Sequence, residues 1–341
     1  MTSKILFSCL FVKFIPFKEV SMIFQTAGIE VSPWVPPLVA FVISFFTSMG
    51  GVSGAFLLLP FQMSFLGYTN PSVSATNQLF NIVAIPSGVY RYWREGRMVW
   101  PLTWIVVAGT LPGVFIGAFV RVNYLPDARN FKLFAAAVLF YIGLKMILDL
   151  IGKNSGGKDK AAAEKRFQEL VRSFSRKAEG SRSGKHEEIP AVVVCRFDLK
   201  RLCYSFYGEQ FDVGFWGLFA LSFIVGIVGG IYGIGGGAII APFFITFYGL
   251  PVYTVAGAAL MGTLVTSVAG VVFYQAMAPF YPDVSVAPDW LLGILFGLGG
   301  MAGMYLGARC QKYMPARAIK WMLAAIIVFT AIKYLVAFFS S

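Results

Sequence analysis

Two stretches of this chain hold residues that can bind an anion without a charged side chain. They read GGVSG at 50–54 and GIGGG at 233–237, and both lie inside apolar sequence. Glycine lets a ligand approach the main chain closely, yet a helix interior tolerates it poorly. A helix that breaks and restarts at such a point presents unpaired N–H groups and a partial positive charge, which suit an anion. The candidate backbone positions are Gly51, Ser53 and Gly54 at the first break and Gly233, Gly235, Gly236 and Gly237 at the second. Side-chain donors follow each break: Thr76 and Asn77, grouped with Gln78 and Asn81, and then Thr263 and Ser267. The first group includes positions three and four apart, so several share one helix face. The competing reading is structural, because small residues let membrane helices pack closely and hydroxyls or amides bond from helix to helix. Two such loops at equivalent positions favour a binding site.

Residues 233–238 also spell G-x-G-x-x-A, but a dinucleotide loop needs an acidic residue about 20 positions on. None lies between Asp212 and Asp283, and there is no GK[ST] of a phosphate loop. The 16 acidic residues fall at the ends of apolar segments or in loops, and the single histidine, His186, sits in the hydrophilic stretch SRSGKHEE. An intramembrane proton relay, a cation site and a catalytic base are therefore not indicated, so the chain reads as neither an enzyme nor a cofactor carrier. Cys9, Cys195, Cys203 and Cys310 have no metal-ligand spacing and read as ordinary thiols. An anion leaving an inside-negative cell gains about 2.3 kcal/mol per charge per 100 mV, enough for export driven by voltage.

The elements that must hold these residues are membrane helices. The chain is 57% hydrophobic and 13% charged, with a mean hydropathy of +0.72, outside the range of soluble domains. Apolar runs cover 35–66, 71–90, 98–120, 133–148, 213–248, 252–278, 290–308 and 321–339. At roughly 20 residues per crossing, they predict an all-α polytopic membrane protein with about eight full spans and short half-helices. The net charge of +12 lies at span ends and in one loop, a pattern of membrane anchoring rather than of nucleic-acid binding.

The chain also repeats itself. Pro60 and Pro242 are 182 positions apart, and the same offset pairs Gly51 with Gly233, Gly54 with Gly236, Gly67 with Gly249 and Gly88 with Gly270. It slips to 190 for Gly113 and Gly303, and to 188 for Lys145 and Lys333, as two small indels would produce. Each half reads as a helix, a segment of about a dozen residues too short to cross, and three longer spans. Ten Lys and Arg residues place the 152–190 loop in the cytoplasm, whereas 279–289 has none and faces outward. The halves are then an inverted repeat. Arg121, Arg129 and Lys132 face outward in that scheme, and this mismatch keeps a parallel arrangement of four plus four spans as the alternative.

The organisation expected is an interfacial segment at 1–33, a first transmembrane repeat at 34–151, a cytoplasmic insertion at 152–212 and a second repeat at 213–341. In the insertion, 158–179 reads as an amphipathic helix lying on anionic headgroups of the bilayer, and the β-branched, aromatic stretch after it as a small β-hairpin. The expected partners are a small anionic substrate, the bilayer and a second copy in a homodimer.

The motifs GGVSGAFLLLPF, SVSATNQLFNI, GIVGGIYGIGGGAIIAPFF and GAALMGTLVTS resemble the repeated signature of the TauE/SafE family of sulfite and organosulfonate exporters. The similarity covers roughly 35–150 and 213–338 and leaves the central insertion outside it. It implies an inner-membrane permease for small sulfur-containing anions such as sulfite, sulfoacetate or thiosulfate. An anion channel, or a transporter of another small organic anion, is the alternative.

Overall fold

The computed structural model describes residues 21–49, 53–94, 98–151, 192–206, 209–310 and 316–339. Gly51, His186 and the 158–179 segment lie outside the described residues. The helices are α1 (Val35–Met49), α2 (Ala55–Phe65), α3 (Ser72–Ala84), α4 (Pro86–Arg94), α5 (Trp100–Asn123), α6 (Ala128–Ile151), α7 (Phe215–Tyr232), α8 (Ile240–Tyr248), α9 (Val252–Met277), α10 (Trp290–Cys310) and α11 (Ala316–Phe339). Hydrocarbon offers the main chain no partner, so apolar segments satisfy their own N–H and C=O groups as helices.

Among the described residues, six helices are long and apolar enough to cross a membrane: α5, α6, α7, α9, α10 and α11. The two remaining spans expected from the sequence are interrupted. α1 has 15 described residues. α3 and α4 meet at a kink where Pro86, which has no N–H to donate, follows Ile85. The chain stays coiled through the kink, with Ile85 N–H donating to Asn81 O at 3.0 Å and Val89 N–H to Ile85 O at 3.1 Å.

Helix packing is reciprocal between the halves. Gly109, Gly113 and Gly117 of α5 face Phe219 and Ser222, then Phe223 and Gly226, then Ile227 and Gly230 of α7, so these two helices run parallel. Gly299, Gly303 and Gly307 of α10 face Pro37, Phe41 and Phe45 of α1 in the same manner. α5 thus packs along the first helix of the second half, and α10 along the first helix of the first half, through glycines four apart, which bring the backbones close.

Equivalent helices of the two halves run antiparallel. Gln78 of α3 faces Gly270 of α9, and the counterpart contact at the 182 offset, Leu260 against Gly88, is also made. Arg129 at the start of α6 lies 4.8 Å from the Phe338 ring near the end of α11, and Gly143 faces Val328.

Outside the helices, β1 (Met22–Phe24) and β2 (Ile29–Val31) form a hairpin. The expected small hairpin after the amphipathic segment is larger: β3 (Val192–Phe197), β4 (Arg201–Phe206) and β5 (Glu209–Gly214) make a three-stranded antiparallel sheet. Leu202, Tyr204 and Phe206 point from β4 into the core, and the Tyr204 hydroxyl bonds Thr254 Oγ1 of α9 at 2.9 Å. Charged Glu209 and Asp212 weaken the strand signal of β5. Asp212 lies on the face opposite the buried Val213, where alternation permits a charge, and Glu209 is exposed at the start of the strand.

Two of the basic residues that disturb the charge pattern are engaged by the protein. Arg121 is wholly buried; it donates to Leu125 O and, at 3.1 Å, to Thr69 O, and it stacks 3.7 Å from the centre of the Phe131 ring. It closes the C-terminal end of α5, where carbonyls lack helical partners and a cation is favoured. Arg129 donates to Phe338 O at 3.2 Å. A guanidinium held in this way is a packing element, and it carries less weight as a topological signal than a loop charge does.

Candidate substrate site

Both glycine clusters interrupt a helix. Gly233 ends α7 in the left-handed region at φ +79°, and its N–H and that of Ile234 donate to Gly229 O at 2.9 and 3.1 Å. Gly235 follows at φ +76°, ψ +146°, a conformation open essentially to glycine alone. The chain then makes one 3-10 turn, Gly236–Ile239, and enters α8. In the first half α1 is described to Met49 and α2 starts at Ala55, with Ser53 and Gly54 outside both helices and Ser53 Oγ accepting from Ala55 N–H at 3.4 Å. The two half-helices also end alike, at Gly67 (φ +71°) and Gly249 (φ +65°).

The broken ends meet inside the protein. Ser53 is 5% exposed, and Asn77, Gln78, Asn81, Thr266 and Ser267 are fully buried. Tyr232, just before the second break, donates its hydroxyl to Phe56 O just after the first, at 3.0 Å. Two asparagines one turn apart on α3 each bridge the breaks. The Asn77 amide donates to Ala55 O at 3.0 Å and to Gly233 O at 3.1 Å. The Asn81 amide donates to Ile234 O at 2.9 Å and accepts from Ser53 Oγ at 3.2 Å. From α9, Thr266 Oγ1 accepts from Gly236 N–H at 3.2 Å, and Ser267 Oγ accepts from Asn81 at 3.4 Å. The polar faces of α3 and α9 thus form one seam, crossing between the halves and capped by both breaks.

The candidate residues fall into distinct roles. Ser53, Gly54, Asn77, Gly233, Gly235, Gly236, Gly237, Thr263 and Ser267 all lie on the seam or in the breaks that cap it. Thr263 packs against Gly235 and Gly237 and donates its hydroxyl to Ala259 O at 2.8 Å. The Asn77 amide is likewise committed to backbone carbonyls. Thr76 does not join them: it bonds the Tyr68 hydroxyl at 2.7 Å and accepts from Asp289 N–H at 2.9 Å, on the part of α3 away from the breaks.

Gln78, absent from the sequence-derived set, is the residue the structure singles out. Among the described residues neither its Nε2 nor its Oε1 has a hydrogen-bond partner, although the side chain is fully buried. It projects at Gly270 of α9, where an added Cβ would overlap the amide. Ser44 Oγ, opposite Gly54, and Gln62 Oε1, on the side chain that donates to Asn77, are also buried without partners among the described residues. Gln78 was visible in the sequence as one of four clustered polar residues; Ser44 gave no such signal. A buried amide without a partner costs on the order of 1–3 kcal/mol, so a ligand that completes its bonds is favoured there.

Asn77→Ala removes the bridge between the breaks and leaves two buried carbonyls short of a donor. Detergent-purified protein with this change is expected to lose about 1–3 kcal/mol of stability, seen as a lower melting temperature, and to lose transport with it.

A polytopic helical membrane protein whose interrupted helices meet at a buried polar seam has the architecture of a membrane transporter. The family model described as "Sulfite exporter TauE/SafE" matches residues 37–334, and the chain belongs to that family. It is similar to the probable membrane transporter protein YunE of Bacillus subtilis (strain 168), 22% identical over 289 residues, covering 82% of this chain and 89% of the relative. It is also similar to the probable membrane transporter protein YdhB of the same organism, 24% identical over 119 residues, covering 35% of this chain and 45% of the relative. No solved structure matches. The protein is a multi-pass membrane transporter.

Proposed function

We propose that this transporter exports small sulfur-containing oxyanions, such as sulfite, sulfoacetate or a related sulfonate, or thiosulfate, across the inner membrane. The anion sits in the seam between α3 and α9. The observation that carries this reading is the bridging of both helix breaks by Asn77 and Asn81 beside the unpartnered amide of Gln78. The family assignment supports the substrate class, and the neutral donors of the seam fit a ligand that brings its own charge.

Gln78 Nε2 offers an unpartnered donor beside the two broken helix ends, and no cationic side chain has to be buried to balance the anion. Asn77, Asn81 and Thr266 hold those ends in place. The halves act as an inverted repeat, a reading supported by the antiparallel course of α3 with α9 and of α6 with α11. Because the seam is closed to solvent, substrate enters and leaves only when one half rocks against the other, alternately opening each side.

Counterflow distinguishes this cycle from a pore. Proteoliposomes loaded with unlabelled sulfite are expected to take up labelled sulfite faster than empty ones, with saturable kinetics. Uptake that ignores internal sulfite and rises linearly with concentration identifies a channel, and no uptake of sulfite, sulfoacetate or thiosulfate removes the proposed substrate class.

A further inference from the structure

We propose that the groove between α1, α2 and α11 is a binding site for an anionic glycerophospholipid, with one acyl chain along its apolar wall and the phosphate on the Lys333 ammonium. The groove encloses about 330 Å³ and is lined by Val42 and Phe46 of α1, Phe61 and Phe65 of α2, and Phe329 and Lys333 of α11, among other residues. It follows α11 from Met322 to Lys333, about 16 Å at the helical rise, a length suited to an acyl chain. Phe65 and Phe329 on its rim are 68% and 70% exposed, which places the opening on a lipid-facing flank.

Among the described residues lining the groove, Lys333 is the one that is charged. It precedes the end of α11 at Phe339 by six residues, roughly 9 Å of helix. From that depth a lysine stem lies along apolar surface while its ammonium reaches the headgroup region. The groove is fixed by hydrogen bonds: the Tyr334 hydroxyl donates to Pro60 O at 3.1 Å and meets Ser64 Oγ at 3.0 Å, tying α11 to α2. An isologous contact between two copies centred on this groove would bring two Lys333 ammonium groups together in hydrocarbon, which disfavours a second copy as the occupant.

The repeat supplies an internal comparison. Lys145 of α6 is the counterpart of Lys333, and Phe243 and Phe247 of α8 are the counterparts of Phe61 and Phe65. Lys145 folds onto its aromatic pair, with Nζ 4.4 Å from the Phe243 ring and buried. Lys333 is exposed, with Nζ 5.5 Å from Phe65. One copy of the lysine–aromatic pair is closed by the protein itself, and the other is left open to an anionic headgroup.

Native mass spectrometry of full-length protein, taken from nanodiscs of equimolar phosphatidylglycerol and phosphatidylcholine, tests the site. Wild type is expected to retain phosphatidylglycerol preferentially. Lys333→Gln should retain lipid but lose about fivefold of that preference, Thr330→Trp should retain none by filling the groove, and Lys145→Gln should behave as wild type. Absence of a phosphatidylglycerol preference in wild type overturns the proposal, as does unchanged retention by Thr330→Trp or an unchanged preference in Lys333→Gln. A dimer that Thr330→Trp converts to monomer without loss of lipid would also overturn it, assigning the groove to a contact between copies.

Discussion

Gln78→Leu is expected to leave the protein at least as stable as wild type while lowering anion flux about 10- to 100-fold. The two halves of this expectation have separate causes. Gln78 is buried with neither amide atom partnered, so an apolar side chain of similar volume removes a desolvation penalty and breaks no bond. Leucine already stands at the equivalent position of the second half, where Leu260 faces Gly88 as Gln78 faces Gly270, so the packing is compatible. A hydrogen bond from an amide to an anion contributes about 1.5–3 kcal/mol, and its loss sets the fall in flux. Melting temperature and proteoliposome flux, measured on the same preparation, separate the outcomes. If flux persists at the wild-type rate, Gln78 does not touch substrate.

Gly233→Ala should have the largest effect on stability, about 2–5 kcal/mol, and should abolish transport. Gly233 adopts a φ of +79°, which costs an L-residue roughly 1–2 kcal/mol. Its added Cβ would also lie 2.5 Å from Ser74 Cα and from Ser74 O, and overpacking a close-packed contact adds about 1–3 kcal/mol. Gly249→Ala is the control, because Gly249 has a φ of +65° but nothing within 4 Å of a Cβ. It bears the conformational cost alone and should retain transport. Equal melting temperatures for the two variants would mean that the second break is not held against α3.

The helix breaks were legible in the sequence because they depend on backbone geometry that few residues permit. Glycine was required at 233 and 235 by their left-handed conformations, and the offset linking Gly67 to Gly249 recurs as two half-helix ends of the same hand. Side-chain partners were less legible, since each depends on how helices cross. Thr76 and Asn77 are neighbours on α3, yet one turns to Asp289 and the other to the breaks. Asn77 and Thr263, expected to donate to substrate, donate to main-chain carbonyls instead. Arg121 read as an outward charge because composition cannot reveal that Leu125 O, Thr69 O and Phe131 enclose it. Lys145 and Lys333 drew attention only as repeat markers. Their aromatic partners come from the opposite half, and only the folded chain brings them together.

Access of water to the seam is the most direct test of the account. A cysteine placed at Ser267, in protein whose Cys9, Cys195, Cys203 and Cys310 are replaced by serine, should react with a membrane-impermeant thiosulfonate during turnover. Sulfoacetate should slow that reaction in proportion to its occupancy of the site. A cysteine that stays unreacted from both faces of the membrane while flux continues would contradict the account, because the anion would then cross by a route that never opens the meeting point of the two breaks.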